Sequence, residues 1–134
     1  ETAQKFGEEQ VLQWRRSFDV APPKIDEQDP RHPSKDPLYD EIDKKLLPSS
    51  ESLKDTMQRV SPFLDEHLFP QIKQGKDCLV VAHGNSLRAI FKIIKNISDE
   101  NIIKLNIPTG EPYVFELDNK LKILGDYYLG EQKK

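Results

Sequence analysis

In the run Leu79-Val80-Val81-Ala82-His83-Gly84-Asn85-Ser86, a histidine stands where an apolar stretch stops and helix-like sequence begins. In open α/β sheets, ligands bind beyond the carboxyl ends of the strands. A helix N-terminus at that place offers unpaired backbone N–H groups and a partial positive charge, and both favour phosphate. Gly84 would let the backbone approach an anion closely. Asn85 adds an amide donor, and His83 can give a charged hydrogen bond to a phosphoryl oxygen. The same residues also admit a plain structural reading: a satisfied histidine, with Asn85 and Ser86 capping the helix.

Arg15 and Arg16 are the next candidates. Adjacent helical residues point about 100° apart, so the pair reads first as a solvated face. Both could still reach one site from a helix end that meets it edge-on. Their guanidinium forks suit carboxylate and phosphate alike. His32 and His67 have no neighbours at metal-ligand spacing and are expected at the surface, and no Cys/His cluster suggests zinc. No metal is therefore assigned. Asn96-Ile97-Ser98 matches a glycosylation sequon that a cytosolic chain would leave unmodified. No pair of carboxylates stands out as an acid/base dyad.

The elements that must hold these residues follow from pattern. Residues 1–18 read as helix, broken at Gly7, with Val11, Trp14 and Phe18 along one face. Residues 19–50 carry Pro22, Pro23, Pro30, Pro33, Pro37 and Pro48. Proline forbids sustained helix or central strand there. A long loop is expected, with at most a short helical turn, serving as a cover over a site. Leu53, Met57, Val60, Leu64 and Leu68 restore helical spacing over Ser52–Gln74, opened by a Ser52–Asp55 capping box and stopped at Gly75. Pro62 inside it predicts a kink or a fresh start.

Cys78–Ala82 is wholly apolar and reads as a strand buried on both faces of a parallel sheet. Cys78 is then a buried structural thiol. Leu87, Ile90, Phe91 and Ile94 mark one face of the helix Asn85–Lys95, and Ser98 caps a short helix to about Leu105. Tyr113–Leu117 and Lys122–Leu129 form a terminal hairpin around Asp118-Asn119-Lys120. The last residues, 131–134, are expected to fray. The element order predicts one α/β domain with a mostly parallel sheet and one antiparallel strand.

Composition bounds the function. The chain has 134 residues and a formal net charge of -3, with Lys+Arg 20 against Asp+Glu 23. Mixed charge of that kind does not suit a nucleic-acid binder. The longest apolar runs are far too short to span a bilayer. A single cysteine fits a reduced, cytoplasmic compartment. The first residue is Glu1, which suggests a processed or truncated polypeptide.

Taken in order, Glu1-Thr2-Ala3, Trp14-Arg15-Arg16-Ser17, the proline-rich loop, Glu51-Ser52-Leu53-Lys54-Asp55-Thr56, Ala82-His83-Gly84-Asn85-Ser86-Leu87-Arg88, Leu105-Asn106-Ile107-Pro108-Thr109-Gly110 and Tyr127-Tyr128-Leu129-Gly130 form a specific pattern. It resembles the 2,3-bisphosphoglycerate-dependent phosphoglycerate mutases of the histidine phosphatase superfamily, collinearly through nearly all of the chain. The resemblance implies a three-layer α/β/α fold and the glycolytic interconversion of 2-phosphoglycerate and 3-phosphoglycerate. It implies a phosphohistidine intermediate primed by 2,3-bisphosphoglycerate, and dimers or tetramers of the full-length protein. Arg15 and Arg16 match the family's anion-binding arginine pair. His83 matches the second active-site histidine, which stabilises the transferring phosphoryl group. Gly84 and Asn85 match further ligand contacts.

One departure is large. The family's phosphoacceptor histidine lies in an Arg-His-Gly-Glu motif, and this sequence has none. His83 follows Ala82 instead. The family's glutamate proton donor, an arginine and a lysine should also precede the Glu1-Thr2-Ala3 match. The expectation is that residues 1–134 are the C-terminal portion of a single mutase-like domain, inactive alone. A non-catalytic phosphate-binding fragment, and a bisphosphoglycerate synthase or phosphatase of the same superfamily, are the alternatives.

Overall fold

The computed structural model describes residues 1–130; the expected frayed tail, 131–134, lies outside them. The opening helix is split as its glycine predicts. Thr2–Phe6 forms α1 and Glu8–Arg16 forms α2, with Gly7 between them at φ 84°, a conformation that residues bearing a Cβ seldom adopt. Glu8 and Glu9 occupy the first turn of α2, and Arg15 and Arg16 the last. Each charge sits at the helix end whose partial charge it complements.

The proline-rich stretch is more ordered than a plain loop. It holds three short 3-10 turns, Pro33–Lys35, Pro37–Tyr39 and Lys44–Leu46. His32 and Asp36 cap the first two, and a proline opens each. The ends of the stretch are tied together. Ile25 N–H donates to the Ser49 carbonyl at 3.0 Å, and the Ser50 hydroxyl donates to the Pro22 carbonyl. His32 belongs to that tie and is buried, not at the surface. Its Nδ1 lies 2.8 Å from Ser34 Oγ and its Nε2 3.1 Å from Ser49 Oγ. Partners on both nitrogens make burial of a polar ring tolerable.

Helix α3, Leu53–Phe63, opens on the expected capping box between Ser52 and Asp55. Pro62 lies within it without ending it. The break comes later, as a wide π-type turn at Leu64–Leu68 ahead of Pro70, followed by α4, Phe69–Lys73. A wider turn gives the Pro70 ring room against the preceding carbonyls. Gly75, at φ 79°, ends the run. Helix α5 spans Gly84–Lys95 and packs against α3.

Its buried side divides the core. Ala89 joins Leu53 and Ile102, while Ile90 joins Leu64 and Leu68. Phe91 carries the hairpin, meeting Tyr113 and Phe115 at ring-centroid distances of 4.8 and 4.9 Å. The hairpin pairs β1, Tyr113–Leu117, with β2, Ile123–Tyr128, antiparallel, in register from Tyr113 opposite Tyr128. Asp118 Oδ1 closes the turn by accepting from Lys120 N–H and Lys122 N–H, each at 2.8 Å.

Cys78–Ala82 departs from expectation. The segment joins no ladder. Val80 packs on the core, while Leu79 is 87% exposed and Val81 85%. Cys78 is exposed as well, not buried. A parallel strand takes its hydrogen bonds from neighbouring strands, and among the described residues none lies beside it. The described sheet is therefore the two-stranded antiparallel hairpin alone, within a mixed α and β chain.

The capping box generates a prediction. Asp55 accepts from the Ser52 N–H and hydroxyl, and these bonds hold its pKa below the ordinary carboxylate value. Ser52→Ala should lower unfolding free energy by about 1 kcal/mol in urea titrations at neutral pH. The folded pKa is the depressed one, so Asp55's contribution is complete above the ordinary range and is lost as pH falls through the folded value. The Ser52→Ala penalty should shrink over that acidic window.

Candidate functional site

A cleft of about 380 Å³ opens where α2 ends, α3 begins and α5 begins. Trp14, Arg15 and Ser17 form one wall, Glu51, Ser52 and Arg59 a second, and His83, Asn85 and Ser86 a third. The proline-rich stretch leaves and returns at the rim, since Ser17 and Glu51 flank it, but residues 19–50 contribute none of the lining. The expected cover is thus a flank in this structure.

His83 caps α5. Its backbone is extended, at φ -61° and ψ 147°, and its Nδ1 accepts from Asn85 N–H at 3.3 Å. The cap read for Asn85 and Ser86 comes instead from the histidine. A ring whose Nδ1 accepts carries its proton on Nε2 when neutral. The exposed side of the ring therefore presents an N–H donor beside the helix N-terminus. Gly84 follows with nothing within 4 Å of where a Cβ would stand. Its place on the helix leaves the approach to the first-turn N–H groups open.

The arginine pair separates. Arg15 lines the cleft, and no hydrogen-bond partner for its guanidinium is found among the described residues. Arg16 turns away and donates from a terminal nitrogen to the Leu105 carbonyl at 3.3 Å. Adjacent helical positions produce this divergence, as the angle between them requires. So of the expected site residues, Arg15, His83 and Asn85 line one cleft, Gly84 stands between the last two without lining it, and Arg16 lies beside it.

Two features were missed from sequence. Arg59 meets Glu51 through two bonds, at 3.1 and 2.8 Å, and the pair lines the second wall. Eight residues separate them across a helix start, so no helical spacing announces the pair. The other is Arg88, a buried residue at the inner lining of the cleft, bonded to carbonyls of Arg15, Arg16, Ile102 and Leu105. Its signal was available: an arginine inside the apolar face Leu87–Ile94 must find acceptors or be expelled. Burial first, and then the charge of Arg16, hold its pKa below the ordinary arginine value.

The arrangement can bind an anion. One arginine, an imidazole N–H, a side-chain amide and a helix N-terminus face a common space. Among the described residues, no three His, Cys, Asp or Glu side chains converge. No helix among them is long and apolar enough to cross a membrane.

The family model of the histidine phosphatase superfamily (branch 1) matches residues 19–127, and the chain belongs to that superfamily. Over all 134 residues it is 54% identical to a protein of Parabacteroides distasonis, 52% to one of Porphyromonas gingivalis and 53% to one of Borreliella burgdorferi. Each of the three is named a 2,3-bisphosphoglycerate-dependent phosphoglycerate mutase. The match takes in 100% of this chain but 54% of each relative, so the chain spans about half the length of the curated relatives it matches.

The cap and the donor of His83 can be separated by mutation. His83→Ala should cost about 0.5–1 kcal/mol in urea denaturation, because Asn85 N–H loses its acceptor. His83→Asn should restore that stability, since asparagine is a strong N-cap, while removing the imidazole N–H from the cleft.

Proposed function

We propose that residues 1–134 are the C-terminal portion of a 2,3-bisphosphoglycerate-dependent phosphoglycerate mutase domain, of three-layer α/β/α architecture. The observation that carries this reading is the convergence of Arg15, His83 and Asn85 on one cleft, in a chain so similar to proteins of that name. The unpaired segment 78–82 supports it too. An exposed apolar strand calls for neighbours, and a preceding half of the domain would supply them as a parallel sheet.

The donor set suits phosphate esters of glycerate. Arg15 neutralises charge and offers a planar fork. Asn85 and the N–H groups after Gly84 bind oxygens without adding charge. His83 donates from Nε2 to the transferring phosphoryl group, where negative charge spreads over the equatorial oxygens. Arg16 joins the anion site by turning from the Leu105 carbonyl, which it holds by a single bond. The same donors accept 2,3-bisphosphoglycerate, which supplies the priming phosphoryl group when bound. The nucleophile belongs to the preceding half, because the sequence has no Arg-His-Gly-Glu motif.

An enolase-coupled assay tests this. The isolated chain should give no turnover of 3-phosphoglycerate with 2,3-bisphosphoglycerate present. The same chain joined to its N-terminal half should give it, and His83→Asn in that protein should lower kcat by about 10²–10³. Turnover by the isolated chain would overturn the division of labour. Phosphoglycerate binding by calorimetry, without turnover in the joined protein, would assign a phosphate-binding role in place of catalysis.

A further inference from the structure

Among the described residues, Arg88 is a buried cation with no carboxylate partner. It is 3% exposed. Nε donates to the Leu105 carbonyl at 3.1 Å. One terminal nitrogen donates to the carbonyls of Arg16 and Ile102, each at 2.7 Å. The other reaches the Arg15 carbonyl and Asn85 Oδ1, each at 3.4 Å. Those bonds use every N–H of the guanidinium.

Four of the acceptors explain how the charge is tolerated. The Arg15 and Arg16 carbonyls end α2, where partial negative charge gathers. Those of Ile102 and Leu105 belong to the first residue of the 3-10 turn Ile102–Lys104 and the residue just after it. The fifth acceptor has a different meaning. Arg88 has only donors, so the Asn85 amide must turn its oxygen inward and its NH2 away from Arg88. The Arg15 carbonyl, in turn, belongs to a residue that lines the facing wall. One rigid fork therefore touches both anion-contacting elements.

We propose that Arg88 is a positioning residue of the phosphoryl site: it holds the Arg15 main chain and the Asn85 amide at one separation, so that both serve the same phosphate ester. This rests on the anion-site reading above. Lysine at 88 would keep the charge but carry its donors on a single nitrogen. Such a side chain cannot serve the end of α2 and Asn85 together.

The test uses the complete protein, with the half that precedes Glu1. Arg88→Lys should raise KM for 3-phosphoglycerate about tenfold, with kcat within about twofold. A lowered thermal midpoint with unchanged KM would make Arg88 a structural strut only and overturn the inference. Should the variant fail to fold, side-chain NMR signals of the unaltered protein decide. Titration with 3-phosphoglycerate should shift the Arg88 Nε–H and Asn85 NH2 signals together; an Arg88 signal that stays fixed while Asn85 moves overturns the inference. Absence of turnover in the unaltered protein would instead sink the mutase reading. The same tenfold loss is then expected in affinity for inorganic phosphate, and its absence there overturns the role of Arg88.

Discussion

A single guanidinium holds together parts of the chain that are otherwise far apart. Arg88 projects from the first turns of α5 into the space between the end of α2 and the Ile102–Lys104 turn, and donates to carbonyls on both sides of it. The constraint works in both directions. The end of α2 needs donors, and the buried cation needs acceptors. Removing either leaves buried polar groups unpaired, which is the costly outcome. The cleft in front of Arg88 inherits its shape from that mutual requirement.

Helix α5 carries two tasks on one short length. Its N-terminus carries the cap, the open glycine and the donors that face the cleft. Its apolar side joins both core clusters and, through Phe91, the hairpin. The functional end is thus fixed by packing one turn away, where side chains have little freedom. Lys92 and Lys95 at the other end extend the arrangement. Lys92 pairs with Asp99 at 2.7 Å, and Lys95 pairs with Asp126, to which the Tyr113 hydroxyl also donates. Asp126 and Lys95 favour each other's charged forms, so the carboxyl is held low and the ammonium high.

What could be read from the sequence was mostly local. The four-three-four-four spacing from Leu53 to Leu68, the Ser52–Asp55 box, the break at Gly7 and the hairpin around Asp118 each follow from contacts within a few residues. The errors fall where distant partners decide. Cys78–Ala82 has the composition of a buried strand, but pairing depends on a neighbour, not on composition. His32 is buried because Ser34 and Ser49 happen to meet its two nitrogens. Pro62 was the expected break, yet the helix widens ahead of Pro70. In the candidate site, the histidine turn and Arg15 were legible from residue type and position. The Arg59–Glu51 pair was not, because it joins residues on either side of a helix start; the divergence of Arg16 and the burial of Arg88 had signals in helix geometry and in the apolar face, but their acceptors lie far along the chain.

The apolar stretch before the histidine turn has one foothold. Ala82 is its last residue and His83 is the next. Val80 packs on the core, while Leu79 and Val81 on either side of it stay exposed. The imidazole rides on the end of this stretch like a tip on a lever. The seating of one valine, three residues upstream, therefore bears on where the ring that caps α5 stands at the mouth of the cleft.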